Sequence, residues 1–122
     1  MNKIVPTLVF GNYLPGGWIS RYCRFRVDLP AGSHRLVGKT YNPPGEDLEG
    51  SELVVVIDKA PIGAIRPDNP PRWSAFALDL PELAAPSRVN ILLHATRFRL
   101  PPPPDQRILG LILDDFCVQL EG

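Results

Sequence analysis

The sequence predicts an all-β chain folded as a two-sheet antiparallel β-sandwich of jelly-roll type, with seven or eight strands. Three observations carry that expectation. Apolar runs of about 5–10 residues recur between clusters of Pro, Gly, Asn and Asp. Within several runs apolar and polar residues alternate, the period of a half-buried strand. No stretch combines helical periodicity with caps, and Pro81–Ser87 leaves room for one helical turn at most. The chain has 122 residues, with 15 Pro and 10 Gly among them. That length suits one domain over 1–122, and the longest expected loop, about ten residues, is within single-domain norms.

The first run is Ile4–Phe10, closed by a turn over Gly11–Gly17. Trp18–Val27 reads as one long strand. Ile19, Cys23, Phe25 and Val27 share one face; Trp18, Ser20, Tyr22, Arg24 and Arg26 share the other. Asp28-Leu29-Pro30-Ala31-Gly32 stops it. His34–Tyr41 is a weaker strand, and Asn42–Gly50 is a loop. Glu52–Ile57 carries three consecutive valines, whose branched side chains suit a pleated surface. Asp58-Lys59 reads as the tip of a tight turn returning through Pro61–Ile65. Pro67–Pro71 is a further loop. In Trp73–Leu80 the expected inward face is Phe76, Leu78 and Leu80. Arg88–Leu100 is a long strand, stopped by Pro101–Pro104, which cannot donate ladder hydrogen bonds. Ile108–Leu120 closes the chain. Its alternation slips at Asp114-Asp115, where a β-bulge would restore the apolar face for Phe116, Val118 and Leu120.

Charge excludes some partners. Thirteen Lys+Arg balance thirteen Asp+Glu, evenly along the chain, so there is no field to hold nucleic acid or anionic lipid. No apolar stretch reaches the roughly 18 residues of a membrane helix. Nothing near Met1–Phe10 resembles a signal peptide, so a cytoplasmic protein is expected. Cys23 and Cys117 are then expected to be free thiols.

The residues offer little for catalysis. Cys23, His34, His94 and Cys117 lack the close spacing of metal knuckles. There is no nucleophile elbow, and no glycine-rich loop precedes a helix. Glu46, Asp47 and Glu49 read as a solvated loop, with a structural calcium ion as the alternative for such oxygen-rich sequence. No enzyme and no cofactor are expected. The aromatic residues are more suggestive. Trp18, Trp73, Tyr13, Tyr22 and Tyr41 include several that begin strands beside turns. Aromatic faces stack on the C–H faces of sugar rings, and neighbouring amides, acids and guanidinium groups satisfy hydroxyls. Trp18, Tyr41, Asn42, Arg72 and Trp73 are therefore candidates for carbohydrate binding, with Asp68 and Asn69 nearby in sequence. The competing expectation is that each tryptophan covers the end of a sandwich core.

Several stretches together carry a resemblance. Gly17-Trp18-Ile19-Ser20 leads into Arg24-Phe25-Arg26-Val27. Val54–Gly63 and Phe76-Ala77-Leu78-Asp79-Leu80-Pro81 follow. Asp105-Gln106-Arg107-Ile108-Leu109-Gly110-Leu111 opens the closing strand. This order, over roughly residues 17–120, resembles the galactose-binding-like jelly-roll modules that accompany bacterial glycosyltransferases. The resemblance implies a non-catalytic carbohydrate-binding or glycan-enzyme accessory module, partnered by carbohydrate and by a glycosyltransferase or other protein. Lys59 departs from the pattern, where Gly often follows the acid at the hairpin tip. Asp105, Arg107 and Gly110 read as a structural motif: a cap after the prolines, a bidentate guanidinium, and a site of close approach. The alternative is a structural or protein-interaction module that docks or homodimerises without binding sugar. A long edge strand, or a patch around Tyr22 and Trp18, would favour it.

Overall fold

The computed structural model describes residues 2–14, 16–67, 72–105 and 107–120. Asp68 and Asn69, near the candidate site in sequence, and Gln106 of the closing motif, lie outside the described residues.

Among the described residues nine strands form: β1 (Lys3–Ile4), β2 (Thr7–Phe10), β3 (Tyr22–Leu29), β4 (His34–Tyr41), β5 (Leu53–Ile57), β6 (Ala60–Ile65), β7 (Ser74–Asp79), β8 (Ser87–Ala95) and β9 (Ile112–Leu120). They make two antiparallel sheets, one ordered β1-β9-β4-β7 and the other β2-β3-β8-β5-β6. The two-sheet sandwich read from the sequence is therefore the fold. The inner faces follow the alternation. Cys23, Phe25, Val27 and Leu29 of β3 are buried, as are Leu53, Val55 and Ile57 of β5 and Val89, Ile91, Leu93 and Ala95 of β8. Across the interface lie Leu36 of β4 and Leu113, Phe116 and Val118 of β9, and the Phe25 and Phe116 rings meet at 4.9 Å.

Four boundaries differ from the sequence reading, each for a local reason. The run Ile4–Phe10 is two strands in different sheets: β1 pairs with β9, β2 with β3. Pro6, which has no N–H to offer a ladder, stands at the crossing. The run Trp18–Val27 is also divided. Ile19 takes a hydrogen bond from Gly110 and gives one to Leu111, whereas Arg21 accepts from Ala95 of the other sheet. β3 thus begins only at Tyr22, so Trp18 and Tyr22 do not share one strand face. β8 ends at Ala95 rather than Leu100, and β9 begins at Ile112 rather than Ile108. Between them Arg99 and Leu109 bridge, exchanging two backbone hydrogen bonds of 2.6 and 2.9 Å.

The bulge expected at Asp114-Asp115 is present. Lys39 faces Asp114 while Val37 faces Cys117, and Asp115 adopts φ +52°. The extra residue moves Phe116 and Val118 back onto the inner face. The Asp58-Lys59 turn is also present, with φ +46° and +75°, the left-handed pair that joins strands whose twist must match. Both cysteines are free and buried. Among the described residues, no helix is long and apolar enough to cross a membrane.

Candidate functional site

Three of the sequence-predicted aromatic residues gather at one end of the four-stranded sheet. Tyr41, at the end of β4, pairs with Ile112 at the start of β9, and Trp18 bridges to the same Ile112 from its other side. Directly opposed residues of antiparallel strands share a face, so Trp18, Ile112 and Tyr41 form one row. Their inner neighbours Thr40 and Leu113 are buried, which puts the row on the outer surface. Trp73, immediately before β7, extends it: its ring lies 5.6 Å from that of Tyr41, at 36° between planes. Trp73 remains 50% exposed. A core-covering tryptophan would not leave half its surface in water.

Beside this row lies a groove of about 410 Å³, lined by Trp73, Tyr13, Leu14, Gly17, Leu113 and Asp114, with Gly16 at its rim. The chain before β3 supplies its second wall. Leu113 donates its amide to Gly17 (2.7 Å), and Tyr13 donates its hydroxyl to the Leu113 carbonyl (2.8 Å). Burial, then the carboxylates of Asp114 and Asp115, push the Tyr13 phenol above its ordinary value. It stays a neutral donor at physiological pH. Asp114 accepts from the Asp115 amide through Oδ1, and Lys39 pairs with Asp115 at 3.5 Å. The groove therefore presents one exposed indole, a phenol and a carboxylate. That set has shape and polarity for a hydroxylated ligand but no acid–base pair set across a cleft. Tyr13 and Asp114 meet only through the turn and the bulge, a meeting that no local pattern in the sequence signals.

The other candidates have more structural duties. Asn42 donates to the Leu48 carbonyl at 2.7 Å, and its buried Oδ1 has no hydrogen-bond partner among the described residues. Arg72 is exposed next to Trp73, and its carbonyl accepts from Ser74 Oγ. Glu46, Asp47 and Glu49 are exposed, as expected of a solvated loop, but the loop is also anchored. Leu48 within it is 0% exposed. Arg99 grips Asp47 through Nε (2.8 Å) and Nη2 (3.1 Å), and its Nη2 also donates to the Pro44 carbonyl (2.8 Å). Arg97 donates to the carbonyls of Asp47 and Glu46. The guanidinium hydrogen bonds hold the Asp47 carboxyl below its ordinary range, against the opposing effect of burial. Arg97 and Arg99, expected as strand residues, are instead the clasp of this loop. Asp47 thus spends its oxygens on Arg99, and among the described residues no group of three or more His, Cys, Asp or Glu side chains is arranged to hold a metal ion.

Asp105 and Arg107 close on each other. Asp105 Oδ1 accepts from the Arg107 amide at 3.0 Å, and the guanidinium returns a bidentate pair at 2.5–2.9 Å. Neither stands in a strand. Gly110 is fully enclosed: a β-carbon there would lie 2.9 Å from Ala95 Cβ and 3.2 Å from the Ile19 and Ser20 carbonyls. Tyr22 belongs elsewhere, on the outer face of the five-stranded sheet, stacked on His94 at 4.4 Å.

No family model matches the chain, and no curated protein matches it. Among solved structures, the chain is similar to one described as a family 35 carbohydrate binding module from an environmental isolate. The likeness covers 98% of this chain and 86% of that one, at 17% identity and a TM-score of 0.52. At that identity the shared property is the fold: two antiparallel sheets packed as a β-sandwich.

Proposed function

We propose that this domain is a non-catalytic carbohydrate-binding module, serving as the accessory of a glycan-processing enzyme such as a glycosyltransferase. The observation that carries the reading is Trp73, half exposed yet braced against Tyr41 at the mouth of the groove. Bracing removes rotamer freedom before a ligand arrives, so less is lost on binding. The tilted pair makes a shallow angle rather than a flat platform, which favours a terminal or bent saccharide over a flat extended one. Asp114, through Oδ2, accepts from sugar hydroxyls, and exposed Arg72 is the residue before Trp73. Trp18 supports the platform through Ile112, and Asn42 holds the loop that follows Tyr41. The sandwich likeness to a carbohydrate binding module supports the same reading.

An amide NMR titration with neutral mono- and oligosaccharides, with and without calcium, tests it. The expected result is localised shifts at Trp73, Tyr41 and Asp114, lost in Trp73→Ala while the melting temperature holds. Shifts confined to another surface, or none with any sugar, would sink the assignment. A second reading, a protein-docking module, is favoured by a different surface, the exposed edge strand β2.

A further inference from the structure

The five-stranded sheet ends in β2, whose four residues are all exposed and whose outward edge pairs with nothing among the described residues. Apart from Thr7, the side chains of β2 and of Val5 just before it are apolar. Val5 is 75% exposed and Phe10 58%, with Leu8 and Val9 also open to water. The opposite edge is blunted, because β6 contains Pro61 and an irregular register against β5. β2 therefore stands as the open end of its sheet.

Two cations stand beside it on β3. Arg35, Arg66, Arg88, Arg99 and Arg107 each pair with a carboxylate. Arg24 and Arg26 of β3 make no ion pair among the described residues. Arg24 lies over the Phe10 ring at 5.9 Å. Asp28, the acid nearest Arg26 along the strand, is taken by Arg88 at 2.9 Å. Both arginines point outward, since their neighbours Cys23, Phe25 and Val27 are buried. The register sets Thr7 opposite Arg26 and Phe10 opposite Arg24, with Leu8 opposite inward-facing Phe25.

We propose that β2 is a docking edge for an extended protein segment in which acidic residues alternate with apolar ones. The geometry dictates the alternation. A strand added beside β2 places every second side chain on the outer face, next to Thr7 and Phe10 and within reach of Arg24 and Arg26. The intervening side chains lie beside Leu8, at the rim of the core. Arg24 and Arg26 are two residues apart, roughly 6.8 Å along a strand, which is also the spacing of alternate side chains on the incoming segment. Main-chain bonds to the edge supply affinity and the alternate side chains supply specificity. The irregular register between Leu8 and Phe10 interrupts the ladder, so the segment that fits is short. The free backbone groups of an edge strand pair with a peptide backbone in a way that a sugar ring cannot reproduce.

The probe is a synthetic eight-residue peptide alternating Glu and Val, titrated into the whole domain and followed by amide NMR. Three controls accompany it: Lys in place of Glu, the same residues in grouped order, and N-methylation of alternate amides. Shifts at Thr7–Phe10, Arg24 and Arg26 are expected with the alternating acidic peptide alone. The double charge reversal Arg24→Glu with Arg26→Glu, both exposed, should weaken binding by about tenfold or more, the scale of a lost charge pair at an interface. Equal binding of the N-methylated or grouped peptide would overturn strand addition. Equal binding to the charge-reversed domain would overturn the acidic requirement. Self-association through β2 in sedimentation, or sugar-induced shifts at β2, would assign the edge to another occupant and refute the proposal.

Discussion

Replacing Leu48 by Ala tests whether the loop after Tyr41 is a built part of the domain. The side chain is fully buried, yet Leu48 stands outside the main core cluster, under a loop held by two arginines. The substitution removes three carbons. At about 0.8 kcal/mol each, the transfer loss is about 2.4 kcal/mol. The cavity left beneath a clasped loop adds to this, giving about 3 kcal/mol. Unfolding entropy near 2.1 cal/mol/K per residue over 122 residues comes to about 0.26 kcal/mol/K, so Tm should fall by about 12 °C. Thermal melts followed by near-UV circular dichroism measure the change. The Leu48 carbonyl that accepts from Asn42 survives the substitution, but the cavity beneath residue 48 lets it shift and so loosens the chain next to Tyr41. Sugar-induced shifts at Trp73 should weaken in parallel. A fall of less than about 4 °C, equivalent to about 1 kcal/mol, would refute the reasoning. The loop would then open independently of the sandwich, and its burial would contribute nothing to global stability.

Three further substitutions or conditions follow from the same geometry. Gly110→Ala should destabilise by about 1–3 kcal/mol through overpacking, because Ala95 and two carbonyls already occupy the space; urea unfolding at constant m-value reads it. Lys59→Gly should instead stabilise by about 0.5 kcal/mol, since φ +75° strains a side-chain-bearing residue more than it frees the unfolded chain; a lower urea midpoint would contradict this. The Asp47–Arg99 clasp should depend on acid. Asp47's folded value lies below its unfolded one, so its contribution is fully present above the unfolded carboxyl's titration and is lost as pH falls through the folded value. The Arg99 Nε–H resonance should therefore persist at pH 5 and disappear only below about pH 4, the unperturbed carboxylate range. Loss at pH 5 would break the argument.

The strands were legible because each carries its burial in its own alternation. Val54, Val55 and Val56, the slip at Asp114-Asp115 and the left-handed turn at Asp58-Lys59 all announce themselves within a few residues. The crossings did not. Ile4–Phe10 and Trp18–Val27 each look like one apolar run, because a strand that changes sheet keeps the same composition on both sides of the change. Only the partners differ: Gln119 and Val118 of β9 against Lys3 and Ile4, but Arg26 and Phe25 of β3 against Thr7 and Leu8. Local sequence contains no term for that choice.

The same limit explains the candidate site. Trp18, Tyr41 and Trp73 could be named from chemistry, but their common row depends on Ile112, which stands between the first two in the sheet and roughly seventy residues or more from both in sequence. Arg97-Phe98-Arg99 reads as an alternating strand, and its arginines become a clasp because β8 has already ended at Ala95. Once the strand stops, the guanidinium groups face a loop carrying Asp47 and three carbonyls rather than a neighbouring strand or solvent. The consequence reaches the aromatic row: the clasp fixes Leu48, Leu48 fixes Asn42, and Asn42 is the residue after Tyr41. An ion pair that looks peripheral in sequence is thus linked, through Leu48 and Asn42, to the residue beside Tyr41.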